Sequence, residues 1–362
     1  HGSLGDVDSQ GLAAANVSKQ ACQLAGLLQE QLRRQVHGAE LGAVSARADY
    51  VPLTFTWGEA FQFDWSEERL VIGSIWRKVQ LAHMKLCASR AFWLVAYPSQ
   101  GHEMLFDAHT RCLTGLGGVA RRGIYDNMKT AVDQTPRKDR GRVVNARFAA
   151  MTAHYLFDPD FCNVASGWEK GRVEKGVQDA RRRIWLDATQ QRFGSFAELN
   201  VWLATQCMEA WSAPHPDFSG MTIREAWEHE QPQMMPMPTP FDGYVELPAR
   251  VSSTSLVSVA RNRYSVPCRL AGHRVSVRLY PERIVIVADQ SIVAEHARAV
   301  DRDHVVYDWQ HYLPLIERKP GALRNGAPFA DLPGPLQRMR QALLHHDGGD
   351  KVMAQVERYL AL

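Results

Sequence analysis

Three acidic residues, Asp64, Asp126 and Glu174, stand where this sequence could do chemistry. Asp64 interrupts an aromatic-rich run, Phe61-Gln62-Phe63-Asp64-Trp65. Asp126 closes Gly123-Ile124-Tyr125-Asp126 and is followed by Asn127-Met128-Lys129, while Glu174 ends Lys170-Gly171-Arg172-Val173-Glu174. The intervals are 62 and 48 residues. Carboxylate oxygen is the preferred ligand of hard divalent cations such as Mg²⁺, which also keep several waters. Two such ions about 3.5–4 Å apart activate an attacking oxygen and stabilise a leaving one in an in-line displacement at phosphorus. One bridging Asp with one further acid per ion is the smallest set that holds the pair. Taken singly, each acid is ordinary: a strand-end Asp caps a turn, and a helical Glu pairs with a nearby lysine such as Lys170. Their combination points to phosphoryl transfer on a phosphodiester.

The charge pattern agrees with such a substrate. Net charge is only +3, yet residues 111–183 hold 15 Lys/Arg against 8 Asp/Glu, a local +7, and the remainder sums to −4. Clustered cations are the footprint of a polyanion-binding surface. Around the acids, Lys129, Lys170, Arg172 and Arg181 are the candidates for contacts to DNA phosphates. On the helix carrying Glu174, Val173, Val177, Ala180 and Ile184 form an apolar stripe, and Lys170, Glu174, Gln178 and Arg181 a polar one. Glu169 is the rival third acid, about 140° away around the helix at ~100° per residue.

The elements that must position these residues are legible in outline. Ala60–Trp65, Lys78–Cys87 and Ala91–Tyr97 read as a three-strand meander. His102–Leu116 reads as a helix ended by Gly117, Gly123–Asp126 as a strand, Asn145–Phe157 as a helix capped by Asn145, and Asp160–Val164 as a strand. Trp168–Thr189 reads as a long helix, and Ser195 and Thr222 as caps of two more. The fold class expected is α/β, a mixed five-stranded sheet with flanking helices, followed by a small all-β barrel and C-terminal helices. Four prolines within Gln231–Pro240 mark a semi-rigid linker. The domains expected are 1–50 (a cloning remnant, His1-Gly2-Ser3, and an amphipathic helix over 11–36), 51–230 catalytic, 231–242 linker, 243–300 barrel and 301–362 a tail with short helices.

Three of these stretches, Phe61–Trp65, Tyr125–Val132 and Lys170–Glu174, resemble the signature blocks of IstA-type insertion-sequence transposases. Ser89-Arg90, Gly117-Gly118-Val119 and His154-Tyr155 with Phe157 support the likeness, which covers about residues 55–300. The resemblance implies an RNase H-like fold of the retroviral integrase superfamily, with a DDE triad at Asp64, Asp126 and Glu174 acting as catalytic residues and metal ligands. It implies two Mg²⁺ ions per active site, with Mn²⁺ as substitute, and a barrel similar to that of Mu-like transposases. The activity implied is cleavage at the 3′ ends of an element and strand transfer into target DNA. The partners implied are double-stranded DNA, as element ends and as target, and an AAA+ helper ATPase of the IstB type. Joining two ends calls for two active sites, so a homodimer or higher oligomer is expected, in the cytoplasm at the nucleoid. The family's helix-turn-helix region has no room before Tyr50, so weak sequence-specific end binding is expected.

Other classes are disfavoured. No run of about 18 apolar residues exists to span a membrane, and the six dispersed cysteines form neither a zinc pattern nor a disulfide framework. Gly115–Ala120 imitates a dinucleotide fingerprint but follows a helix and precedes a strand, the reverse of the required order. Two rival functions are a simple nuclease on the same fold and a catalytically silent, transposase-derived DNA-binding assembly protein.

Overall fold

Three strands over residues 60–97, the second and third buried on both faces along most of their length, make the centre of the protein. The computed structural model describes residues 54–125, 132–134, 143–161, 173–316, 318–319 and 321–345, with positions 352 and 355 beyond them. Strand β1 (Ala60–Ile72) pairs antiparallel with β2 (Ile75–Leu86) from Phe61↔Leu86 to Ile72↔Ile75. Gly73 and Ser74 join them, both at positive φ (60° and 63°), which suits the tight turns that match strand twist. β2 pairs antiparallel with β3 (Phe92–Tyr97).

Helix α1 (His102–Leu116) ends at Gly117, whose φ of 79° places it in the left-handed cap conformation. Next, β4 (Arg122–Tyr125) lies parallel to β1. The short strands β5 (Val132–Gln134) and β6 (Val143–Val144) form a small antiparallel ladder. Helix α2 (Ala146–Tyr155) follows, and β7 (Asp158–Phe161) lies parallel to β4. The sheet order is β3-β2-β1-β4-β7, the mixed five-stranded sheet that the sequence implied.

Helices α3 (Val173–Thr189), α4 (Phe196–Ala210) and α5 (Ile223–Glu230) complete the flanks. The Ser195 hydroxyl accepts from the Glu198 N–H, and Thr222 with Glu225 forms a reciprocal capping box. One expectation changes in detail. β1 runs seven residues past Trp65, because the polar stretch after Trp65 remains paired across the hairpin before Leu70 and Ile72 return to the core. The proline-rich segment is laid against the sheet layer. Met235 exchanges two 2.9 Å backbone hydrogen bonds with Val119, and Met234, Met237 and Phe241 pack on the main core.

The remaining strands are β8 (Val245–Arg250), β9 (Leu256–Val259), β10 (Asn262–Ser265), β11 (Arg274–Leu279), β12 (Arg283–Ala288), β13 (Ser291–Ala297) and β14 (Val305–Val306). They enclose one core, with Tyr264, Val277, Ile284 and Ile286 at its centre. Their hydrogen bonds form two ladders, β13-β12-β11-β8 and β14-β10-β9, rather than one closed ring. Ion pairs tie this β-region to the five-stranded sheet and its helices. Arg77 bonds both oxygens of Asp301 (2.5 and 2.8 Å), Arg298 meets Glu103 at 2.9 Å, and Arg111 meets Glu282 at 2.7 Å. A third small core around Tyr312, Ile316, Leu323 and Phe329 precedes helix α6 (Gly334–Leu344). The helix expected over 11–36 lies outside the described residues.

Candidate active site

The two faces of β1 differ in kind. Phe61 and Phe63 turn to an aromatic layer under α1, and the alternate positions, with Asp64, turn to the other face. In the aromatic layer His109 stacks on Phe63 (centroids 4.4 Å apart), and Phe157 packs edge-on against Phe61 at 5.1 Å. His109 Nδ1 lies 2.8 Å from the Leu105 carbonyl and Nε2 lies 2.8 Å from the Tyr125 hydroxyl. A carbonyl can only accept, so Nδ1 carries the proton and Nε2 accepts from Tyr125. Burial pushes the His109 pKa down to about 4, which keeps the ring neutral. Gly123 sits between these rings, and a Cβ there would lie 2.6 Å from the Phe61 ring. The layer thus fixes the ends of β1 and β4 together, with Phe63↔Tyr125 as their last register pair.

Asp64 follows Phe63 directly. It is exposed, and its Oδ1 accepts from the Trp65 N–H at 2.8 Å. Opposite it on β2 stands His83, whose ring lies edge-on to Phe92 at 5.8 Å. Burial first, then the charges of Lys85 and Arg181, pushes the His83 pKa down to about 3. Its Nε2 touches no solvent and has no partner among the described residues. Lys85, only 2% exposed, shares this face, opposite Gln62. Sequence reasoning missed both residues. The signal was the alternation of β2, but only the register set at the Gly73-Ser74 turn puts residues 83 and 85 on the face of Asp64.

α3 packs on β1 and buries Ile184, Trp185 and Ala188. Glu174 is the second residue of this helix. Arg181 is half-buried, near enough to Glu68 to oppose the rise that burial causes in that carboxyl's pKa. Asp126, Lys129, Lys170, Arg172 and Glu169 lie outside the described residues, and so does the side chain of Glu174. His154, part of the family likeness, bonds the Thr239 carbonyl at 2.7 Å through Nε2. Trp57 packs on Phe218 at 5.3 Å, while Trp65 packs on Phe63 and Tyr97. Among the described residues no three His, Cys, Asp or Glu side chains gather as a metal site. Cys87, Cys112 and Cys207 are buried free thiols, and burial raises their pKa values. No described helix is long and apolar enough to cross a membrane.

Comparison with known proteins gives these features a class. Residues 236–308 match the family model described as the Mu transposase, C-terminal domain. A transposase of Aminobacter aminovorans is 52% identical over 318 residues, covering 86% of this chain and 62% of that protein. The transposase for insertion sequences IS1326/IS1353 of Pseudomonas aeruginosa is 49% identical over the same shares. The transposase for insertion sequence element IS21, also of Pseudomonas aeruginosa, is 31% identical over 244 residues, or 65% of this chain and 60% of that protein. Among solved structures, the HTLV-2 integrase catalytic core domain in complex with magnesium aligns over 48% of this chain and 99% of its own. That likeness is faint, at a TM-score of 0.35 and 12% identity. By these matches the chain is similar to insertion-sequence transposases, and its β-region to the C-terminal domain of the Mu transposase. More particularly, it is similar to the transposases of the insertion sequences IS1326/IS1353 and IS21. It spans about six-tenths of the length of the curated relatives it matches.

Proposed function

We propose that this chain carries the catalytic and C-terminal parts of a DDE transposase, which frees the 3′ ends of an insertion sequence and joins them to target DNA. The observation that carries the reading is the position of Asp64. It is an exposed carboxylate, directly beyond the last pair of two parallel strands, on the face crossed by the helix to which Glu174 belongs. Tyr125 is the final residue of the neighbouring strand, and Asp126 is next in sequence.

The three acids form an all-carboxylate donor set, and an exposed Asp64 at a strand end fits a hard divalent cation. Asp64, Asp126 and Glu174 would hold two ions, Mg²⁺ or Mn²⁺. When bound, the ions supply charge stabilisation at the attacking and leaving oxygens. The chain's own part is to orient the carboxylates through the aromatic layer beneath β1 and β4. Lys129, Lys170, Arg172 and Arg181 would hold substrate phosphates, Arg through its planar fork. Element ends and target DNA, an AAA+ ATPase of the IstB type and a second copy of the chain are the partners in this reading. Its place is the cytoplasm, at the nucleoid.

The test is strand transfer. A labelled, pre-cut element-end oligonucleotide and supercoiled plasmid are mixed with this chain and Mn²⁺, in parallel with Asp64→Asn and Asp126→Asn. The reading expects plasmid-joined label that disappears in both variants. Cleaved but never joined plasmid would favour the simple nuclease. Joining that survives Asp126→Asn would defeat the triad. Should the chain fail to join, the same assay with the residues of its longer relatives restored decides the matter, and failure there would leave the silent DNA-binding protein.

A further inference from the structure

The outer face of the β8–β11 pair gathers arginines that form no ion pair among the described residues. Along β11, Val275, Val277 and Leu279 point into the core, whereas Arg274, Ser276 and Arg278 point outward. The register sets Arg250 directly opposite Arg274, both exposed. Like charges at directly opposed positions destabilise a sheet. At the other end of the strand Arg278 lies against the Tyr244 ring, 4.8 Å from its centroid. Arg147, in the first turn of α2, lies against the same ring at 4.5 Å.

Arg147 also donates to the Tyr244 carbonyl at 2.5 Å. The Nε of Arg147 and that of Arg278 touch no solvent and have no partner among the described residues. The acids at hand take their hydrogen bonds from neutral hydroxyls and form no ion pair with these arginines among the described residues. Glu246, opposite Arg278, accepts from the Ser276 hydroxyl at 2.6 Å, and Asp242 accepts from the Tyr280 hydroxyl at 2.8 Å. The contrast with nearby arginines is sharp: Arg77, Arg111, Arg283 and Arg298 all have carboxylate partners.

Topology sets where this strip leads. α2 ends three residues before β7, whose first residue pairs with Arg122 at the start of β4. The helix therefore runs back along the strands, and Arg147 stands toward the end of the sheet where Asp64 follows the Phe63↔Tyr125 pair. From Arg278 to Arg274 the strand advances about 13–14 Å, the axial length of about four base pairs.

We propose that Arg147, Arg278, Arg274 and Arg250 form a track for the sugar–phosphate backbone of duplex DNA, continuing from the Asp64 end of the sheet onto the β-region. The inference rests on the nucleic-acid substrate proposed above. Such a track positions a duplex and carries no base specificity. An anionic backbone offsets the like-charge repulsion between Arg250 and Arg274.

Binding is measured by fluorescence anisotropy with a mixed-sequence duplex of about 30 base pairs, in EDTA, over a salt range of about 50–200 mM. Arg250→Ala with Arg274→Ala should weaken binding about tenfold or more and lower the slope of log K against log salt by about 2, one for each phosphate that no longer meets an arginine. Its thermal midpoint should equal or exceed that of the wild type, since a like-charge pair is gone. Arg192→Ala, at an exposed arginine beside the far end of the β1–β2 hairpin, should bind as the wild type does. Unchanged affinity and slope in the double variant would overturn the track and leave this face as a protein contact. Because binding is read without metal or product, a chain that binds through the strip yet never joins DNA defeats only the enzymatic reading.

Discussion

Protonation of His109 should make the protein lose stability in mild acid. Unfolded, the imidazole titrates near 6.5, and in the fold burial holds it near 4. The unfolded chain therefore binds more protons in this interval, so stability is complete above 6.5 and falls as pH drops toward 4. Between about pH 7.5 and about pH 5 the difference in proton uptake integrates to about 2 kcal/mol. The structural cause is specific. Nε2 accepts from Tyr125, and a proton there would leave the Tyr125 hydroxyl hydrogen facing apolar rings. His83, held near 3, adds a loss of the same sign, so the informative quantity is a difference. His109→Phe keeps the stack on Phe63 and removes the titration. Urea unfolding at the two pH values should show the variant less stable at neutral pH, with a pH-dependent loss about 2 kcal/mol smaller than that of the wild type. Equal losses in the two proteins would refute the assignment of this proton to His109.

Two substitutions test how the ends of β1 are held. Gly123→Ala should lower stability by about 1–3 kcal/mol in urea unfolding, because its Cβ would meet the Phe61, Tyr125 and Phe157 rings at 2.6–3.0 Å; an unchanged midpoint would mean that the aromatic layer gives way freely. Glu230→Ala removes a fully buried carboxylate that accepts from the Gly58 and Ser89 N–H groups at 3.0 and 2.8 Å. Two buried donors are then orphaned, and a loss of about 3–5 kcal/mol is expected, with Glu230→Gln in between.

What the sequence made legible follows the range of the forces involved. Gly117, Asn145, Ser195 and Thr222 were readable as caps because a cap is decided by hydrogen bonds within a few residues. The all-β character of 243–300 was readable because alternation with period two reports a half-buried face, as along Arg274–Leu279. The far half of β1 was not, since Ser66–Arg69 is polar on both faces and only the partner strand across the hairpin keeps it extended. Nor was the packing of Met234 and Met235, which depends on Val119, a residue more than a hundred positions earlier.

The candidate site divides along the same line. Asp64 was visible as an acid in an aromatic strand, a local contradiction between burial and charge. His83 and Lys85 were invisible, because each looks like an ordinary polar residue of an alternating strand until the register sets it beside Asp64 or Gln62. The arginine track is the extreme case. Arg147, Tyr244 and Arg278 come from three separate elements, and Arg250 faces Arg274 only through strand pairing. Charge counted along the chain located the basic excess in residues 111–183, whereas three of the four track residues lie in the β-region, within the remainder that sums to −4. Summed charge is blind to pairing, and the surface that attracts a polyanion is set by which cations the fold leaves unpaired.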